Sequence, residues 1–442
     1  MPHPFSDLGA FRRDPLQFFL ARGNASQERM ERLRLGPTPI YLVVDPALVK
    51  PVMKAAPAKI DKGRLIHKLR QIVGNSSLTI SGEEHARRRK AIHAQMAKGV
   101  ASSYVIEISA LYRRTFAHLL REGPFDAHAV AAPLALRVVC TVLFGQGVLG
   151  PAEEATLIRA VHMVEDDLAD GMFRLLPPSP RAYLRKKRNL REAKAMMAAV
   201  VDRARRRAGE GSLVRRLEEL GLSGETLRDE VLMLILAGHH TTGTAAAWVF
   251  WHLAADPALA RRLGAEAAGL VDETGELMPS RLASAELSLG FVREILRLYP
   301  SAYWFSREAI TATEIGGVQL RKGTSLLISP WHLHRDPRFW PEPERFDAER
   351  SHASPAYVPF GVGPRACVGI GLAMLELQVL VLELAAAFDV EASASSASLS
   401  PKPSVTLIPP PISVRLAPRG LRREQETPLT SSPSNSRCEQ AA

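Results

Sequence analysis

Two long apolar stretches dominate the hydrophobic pattern of this chain. From Gly224 to Ala255 an apolar segment is closed by Asp256-Pro257. At 1.5 Å per residue a helix of that length extends about 48 Å, enough to cross a whole domain. From Val368 to Phe388 a second run is long enough to span a bilayer, but Glu376, Gln378 and Glu383 interrupt it, which suits a buried core helix. Between Ser102 and Arg207 the pattern is helical, broken at Gly123-Pro124, Gly150-Pro151 and Pro177-Pro178-Ser179-Pro180. The last break separates helices over Ala152–Met172 and Arg181–Arg207. Another helix is expected over Ala285–Leu298.

Strands are fewer and shorter. Ile40–Val44, Ile315–Leu320 and Ser325–Ile328 read as strands, the last two around Lys322-Gly323. Thr406–Ile408 and Ile412–Leu416 suggest a terminal hairpin around Pro409-Pro410-Pro411. Residues 1–36 read as short helical or irregular pieces, and Ala58–Leu78 as a long loop with a short helix. Beyond Arg419 the chain is polar, Ser/Pro-rich and aperiodic, the signature of a disordered tail over 419–442. The expectation is one mainly α domain over 1–418 with small β-sheets to one side (α+β).

Composition narrows this picture. Of 442 residues, 46% are hydrophobic and 23% charged, as in a soluble globular protein with a large core. Cys140, Cys367 and Cys438 are far apart and odd in number, which argues against a disulfide framework and for a reducing cytoplasm. No apolar run near the N-terminus reads as a signal or membrane anchor. The net charge of +11 is spread over Arg-rich helices without aromatic interleaving, so nucleic acid is not the expected partner. A basic face for an acidic electron carrier is the functional alternative to a merely solvated one.

The chemistry concentrates at Phe360-Gly361-Val362-Gly363-Pro364-Arg365-Ala366-Cys367-Val368-Gly369. A thiol on a loop entering a helix N-terminus sits where unpaired N–H groups favour a thiolate. Such a thiolate is a metal ligand or a nucleophile. A nucleophile needs a base nearby and zinc needs further Cys or His at short spacing, and the stretch offers neither. Arg365, two residues earlier, suits an anion on the same ligand. A haem iron with its propionates meets both requirements; a buried inert Cys on a Gly-rich turn is the alternative that this stretch alone leaves open.

This stretch resembles the haem-binding loop of the cytochrome P450 family, Phe-x-x-Gly-x-Arg-x-Cys-x-Gly, at every fixed position. Four more segments resemble that family in order. His85 and Arg89, four apart on a basic helix, match the pair that meets a haem propionate. Ala237-Gly238-His239-His240-Thr241-Thr242 matches Ala/Gly-Gly-x-Asp/Glu-Thr-Thr, with His240 where an acid is usual. Glu294-Ile295-Leu296-Arg297 matches Glu-x-x-Arg. Phe346-Asp347-Ala348-Glu349-Arg350 supplies the third member of its ion triad, with Ala348 where Pro is usual.

What the resemblance implies is specific. Cys367 would be the axial ligand of haem b, lying between the central helix and the helix after the cysteine. His85, Arg89, Arg307 and Arg365 would meet propionates, with Phe360, Gly361 and Gly238 against the macrocycle. Thr241 and His240 would pass protons to bound O2. Glu294, Arg297 and Arg350 would hold the cysteine loop. Ala237, Ala302, Tyr303, Trp304 and Phe305 would face a small apolar substrate, with a terpenoid or other secondary metabolite as the leaning. The helices either side of the Pro-rich break would form a lid. The reaction would be monooxygenation by a soluble, monomeric, cytoplasmic enzyme, with electrons from NAD(P)H through a ferredoxin or flavodoxin and its reductase. A hydroperoxide-driven peroxygenase is disfavoured by Thr241-Thr242, which stands where that branch carries Arg-Pro. A haem-thiolate sensor or electron carrier, or a haem-free thiol enzyme, are the alternatives from other classes.

Overall fold

The computed structural model describes residues 3–63, 65–173, 179–393 and 399–419. The central helix forms over Gly224–Ala255, as the pattern predicts, and most of its residues are buried. Asp256 ends it and accepts from the Leu259 amide at 2.9 Å, capping the next helix, Pro257–Ala268. The cysteine helix, Ile370–Ala387, and the Glu294 helix, Glu286–Leu298, pack against it.

On its other side the central helix lies along Ala127–Phe144, and there Gly238 finds its reason. A Cβ at 238 would stand 2.9 Å from Val139 Cγ2, so the missing side chain permits close helix packing. The expected approach of a ligand to Gly238 is thereby corrected. Gly243 plays the same part, 2.7 Å from Ala132 Cα.

Helices Pro151–Phe173 and Pro180–Arg207 pack chiefly on each other above the central helix, and residues 174–178 between them lie outside the described set. Ala127–Phe144 and Ile370–Ala387 are long and apolar enough to cross a membrane by length and composition; 67% of each is buried within the fold.

A five-stranded sheet, in the order Met30–Leu33, Ile40–Val43, Ser325–Ile328, Phe305–Ala309, Ile60–Lys62, stands to one side. Ile40–Val43 runs parallel to Ser325–Ile328 and the other pairs are antiparallel. Several sequence expectations change here. Met30–Leu33 is a strand, although residues 1–36 read as helical or irregular. Ile60–Lys62 is a strand within the supposed loop, while Leu65–Val73 is the short helix expected there. The run Ile315–Leu320 is two strands, Thr313–Ile315 and Val318–Leu320, turning at Gly316-Gly317.

The expected terminal hairpin does not form. Leu407–Ile408 pairs with Lys402–Pro403, whereas Ser413–Pro418 pairs with Phe388–Ala392 and Phe125–Asp126. The Pro409-Pro410-Pro411 stretch removes the amides a tight hairpin would need. Arg419, placed at the start of the tail, donates to the carbonyls of Ala260 and Phe388 and belongs to the fold; the tail from 420 lies outside the described residues.

Candidate active site

The central helix and the cysteine loop face each other across a cavity of about 350 Å³. Met233, Ala237, Thr241, Thr242 and Ala245 line it from the central helix, at spacings of four, four, one and three that share one helical face. Thr241 donates its hydroxyl to the Ala237 carbonyl at 2.7 Å, so its oxygen is left as an acceptor. Ala302, just before the sheet, and Phe305, the first residue of its strand, also line the cavity.

Tyr303 and Trp304 do not reach it. Tyr303 is 1% exposed, donates to the Ser404 carbonyl at 3.0 Å and packs with Phe19 and Leu327; Trp304 lies against Phe19. Their assignment to the substrate pocket is corrected, because both rings are taken up by the apolar cluster around Phe19 instead.

The opposite wall carries the charge. Cys367 opens into the cavity from its loop, and its amide donates to the Phe360 carbonyl at 2.8 Å. Gly361 holds a φ of 63°, a conformation that bends the loop beneath Phe305 with no side chain in the way. Burial pushes the Cys367 thiol above its ordinary pKa, outweighing the Gly369 amide and the Arg89 charge that pull it down. The helix terminus therefore does not by itself deliver a thiolate; a bound metal cation would, since a coordinating thiol is deprotonated outright.

Beside the thiol stand His85, Arg89, Arg307 and Arg365, all four lining the cavity, and a fifth basic group, Lys62, that sequence reasoning missed. Strand register places Lys62 opposite Arg307. Its ammonium donates to the Leu78 and Ile80 carbonyls, and Arg365 donates to the Ile80 carbonyl at 2.9 Å. Burial and the neighbouring Arg365 lower Lys62 to about 7. Burial, then Arg365, Lys62 and Arg89, lower His85 to about 4, and burial and Arg365 bring Arg307 to about 10. Asp61, 3.6 Å from Arg365, and Glu230, which acts on Lys62, are counter-charges to this wall. So much buried positive charge on one wall calls for a dianionic ligand. A flat, apolar macrocycle with two carboxylates and a central metal for the thiol fits that donor set, and haem is such a group.

The segment 74–81 is anchored to the central helix. Asp229 accepts from the Asn75 amide and Glu230 from the Ser77 amide, at 2.8 and 2.7 Å, which brings Ser77 and Leu78 to the cavity edge.

Behind the cysteine loop, Glu294 is fully buried and saturated. Arg297 grips both its oxygens at 2.8 Å, Arg350 Nε lies at 3.0 Å and His352 Nε2 at 3.0 Å. Burial alone would push the carboxyl up; the hydrogen bonds of Arg297 and His352, with the Arg297 and Arg350 charges, hold it down to about 2. Glu294 and Arg297 meet as their spacing allows, and Arg350, placed there by the resemblance, joins them. His352 is an addition, two residues beyond Arg350. His334 then links the group to the loop: its Nδ1 meets the Arg297 carbonyl at 3.0 Å and its Nε2 accepts from the Val358 amide at 2.9 Å.

His240 departs from expectation. Its side chain turns away from the cavity: Nδ1 shares a 2.5 Å hydrogen bond with Thr406 Oγ1, and Nε2 lies 3.3 Å from Glu165 on the helix above. The side chains on the face behind Thr241 point away from the cavity because 3.6 residues complete a turn.

Comparison with known proteins follows the same outline. A family model described as Cytochrome P450 matches residues 8–416. A cyclooctat-9-en-7-ol 5-monooxygenase of Streptomyces melanosporofaciens is 31% identical over 387 residues, 81% of each chain. Cyclooctatin synthase of the same organism is 30% identical, again over 81% of each. Pentalenene oxygenase of Streptomyces avermitilis is 28% identical over 81% of this chain and 82% of its own. A crystal structure described as a cytochrome P450 superposes with a TM-score of 0.76 at 22% identity, over 92% of this chain and 98% of the other.

Proposed function

The chain belongs to the cytochrome P450 family and is a monooxygenase, and from that premise we propose that it oxidises a small cyclic hydrocarbon of the terpenoid class. Two relatives are named for cyclic compounds, one for the alcohol cyclooctat-9-en-7-ol and one for the hydrocarbon pentalenene. The observation that carries the proposal is the two-faced cavity, apolar along Met233, Ala237, Ala245, Leu296 and Ala302 and basic around Cys367. A substrate held on the first face makes no polar demand, so its shape decides how it lies.

Haem b would supply, when bound, an iron centre at which O2 is activated, and Cys367 would hold that iron. In this reading His85, Arg89, Arg307 and Arg365 hold its two carboxylates, and Lys62 joins them. Thr241 Oγ1 offers an acceptor for water at the cavity wall. The electrons come from NAD(P)H through a ferredoxin or flavodoxin and its reductase. The basic helix Gly82–Met96, which exposes Lys90 and Arg87 beside the Arg89 side of the site, supports an acidic carrier.

The test is the absorption spectrum of the reduced protein under carbon monoxide, with Cys367→Ala beside it, followed by titration with cyclic terpene hydrocarbons. A strongly red-shifted Soret band in the wild type alone, and a low- to high-spin shift with terpenes, is the expected result. A band unchanged by the substitution would overturn Cys367 as ligand, and a shift with fatty acids but no terpene would overturn the substrate class.

A further inference from the structure

One edge of the cavity comes from neither a helix nor a strand. Ser77 and Leu78 line it from 74–81, a stretch of turns between helices Leu65–Val73 and Gly82–Met96. Leu78 is 38% exposed, so it stands at the mouth, between the cavity and solvent. An irregular segment carrying an exposed apolar side chain is ordinarily among the most mobile parts of a fold. This one is tied down on both sides of Leu78.

Before Leu78 the ties are acidic. Asp229 takes the Asn75 amide and Glu230 the Ser77 amide, and both acids are buried. Arg88, also buried, lies 3.3 Å from Glu230 Oε1 and donates to the Asn75 carbonyl at 2.6 Å and to Glu84 at 2.5 Å. Gly74 has a φ of 51°, and a Cβ there would fall on the Asp229 carboxylate, so the glycine makes room for the acid. After Leu78 the ties are basic. Lys62 donates to the carbonyls of Leu78 and Ile80, and Arg365 to the Ile80 carbonyl and, at 3.0 Å, to the Ser81 hydroxyl.

The acidic ties are costly. Asp229 Oδ1 and Glu230 Oε2 are buried without a hydrogen bond, whereas an apolar contact would hold a surface turn with no such penalty. What charged hydrogen bonds add is direction, and hence one fixed place for the segment. Met233, which lines the cavity, follows Asp229 and Glu230 by four and three residues. A single turn of the central helix therefore supplies a cavity residue and the two acids that place the cavity's edge.

We propose that Asp229 and Glu230 are positioning residues for the substrate, and that Leu78, held in place through them, reads the breadth of an entering apolar molecule. This deepens the reading of the cavity as the site of an apolar cyclic substrate and rests on it. With both acids in place the edge is fixed, and a rigid ring system broader than the gap is refused. When Glu230 is neutralised, Arg88 loses its buried counter-charge and the Ser77 amide its charged acceptor, so the segment yields and broad molecules enter.

The experiment has two arms, both on the haem-loaded full chain. Imidazole, 4-phenylimidazole and clotrimazole, which bind ferric haem through one nitrogen and rise in breadth, are titrated by the Soret shift into wild type, Leu78→Ala and Glu230→Gln. The affinity for clotrimazole relative to imidazole rises roughly 10-fold in both variants, whereas a merely structural role would weaken all three ligands alike. Amide hydrogen exchange is then followed across the chain. Exchange in 74–81 quickens roughly 10- to 100-fold in Glu230→Gln, while the peptides of the cysteine helix keep their wild-type rates. An unchanged clotrimazole-to-imidazole ratio in Leu78→Ala, or unchanged exchange at 74–81 in Glu230→Gln, overturns the proposal. Should Glu230→Gln fail to hold haem, Leu78→Ala and the wild-type exchange decide it: wild-type Asn75 and Ser77 amides that exchange as fast as those of an open turn refute the ties. A wild type without the reduced carbon monoxide band refutes the haem-thiolate reading, and a wild type that shifts with the imidazoles but with no terpene refutes the substrate class; both are separate failures.

Discussion

Glu294 and Glu165 are both glutamates on helices that face the interior, and burial pushes both towards the protonated form. They end at opposite limits: Glu294 at about 2 and Glu165 at about 8. Around Glu294 stand two guanidiniums and an imidazole, each within 3.0 Å, so the ionised form is stabilised. Around Glu165 stand a neutral His240 and a second carboxylate, Asp166. The difference teaches that burial sets the stakes and partners set the sign. One carboxylate is fixed and serves as a structural bolt, while the other is held protonated at neutral pH.

The largest effect expected from breaking this contrast is at Glu294. Glu294→Gln leaves Arg297 and Arg350 with uncompensated charge and costs roughly 3–5 kcal/mol by urea unfolding at pH 7. The pH dependence follows from the lowered pKa: the contribution of Glu294 is fully present above 4.5 and is lost as pH falls towards about 2. The gap between wild type and variant therefore narrows from pH 5 downward. A cost under about 1 kcal/mol would mean that the charge cluster stabilises little beyond its neutral analogue.

How far this contrast was legible in the sequence depends on the distance between partners. Glu294 and Arg297 lie three apart on one helix, and Cys367, Arg365 and Gly361 share one loop, so local spacing reveals them. Lys62 joins the basic wall only through strand register with Arg307, 245 positions away in a segment without periodicity. His352 reaches Glu294 across 58 positions and Glu165 reaches His240 across 75. Nothing local marks such pairs. Tyr303 and Trp304 show the complementary limit: an aromatic run gives no indication of which side chains face the cavity and which the distant Phe19 cluster takes up. Gly238 was visible as an anomaly in the central helix, but whether a ligand or a neighbouring helix fills the space was decided by Val139.

A smaller effect of opposite sign is expected at Glu165. Because its folded pKa is raised, its contribution is fully present below 4.5 and is lost as pH rises through about 8. A glutamine stays neutral throughout, so Glu165→Gln matches the wild type near pH 4.5 and is the more stable protein at pH 9. The shift in pKa sets a ceiling of about 5 kcal/mol; with 18% of the side chain exposed, water relieves much of it, and about 2 kcal/mol is expected at pH 9. Thermal unfolding at the two pH values measures it. Equal stability at pH 9 would place an unrecognised cation near Glu165 and erase the contrast.

The smallest effect separates geometry from burial. Glu349 is gripped by Arg262 through two bonds of 2.8 and 3.0 Å, nearly the fork that Arg297 makes with Glu294. Its side chain is 64% exposed and that of Arg262 54%, and the bonds from Arg262 lower its carboxyl only in a setting that water already stabilises. In water the ion pair replaces good solvation with equally good contacts and loses side-chain freedom. Glu349→Gln should therefore leave the urea midpoint unchanged within error at pH 7 and at low and high salt alike. With Glu294→Gln measured beside it, the pair shares one partner type and one bonding pattern and differs in exposure. A measurable loss at Glu349 would show that the forked geometry itself, and not removal from water, supplies the stabilisation attributed to Glu294.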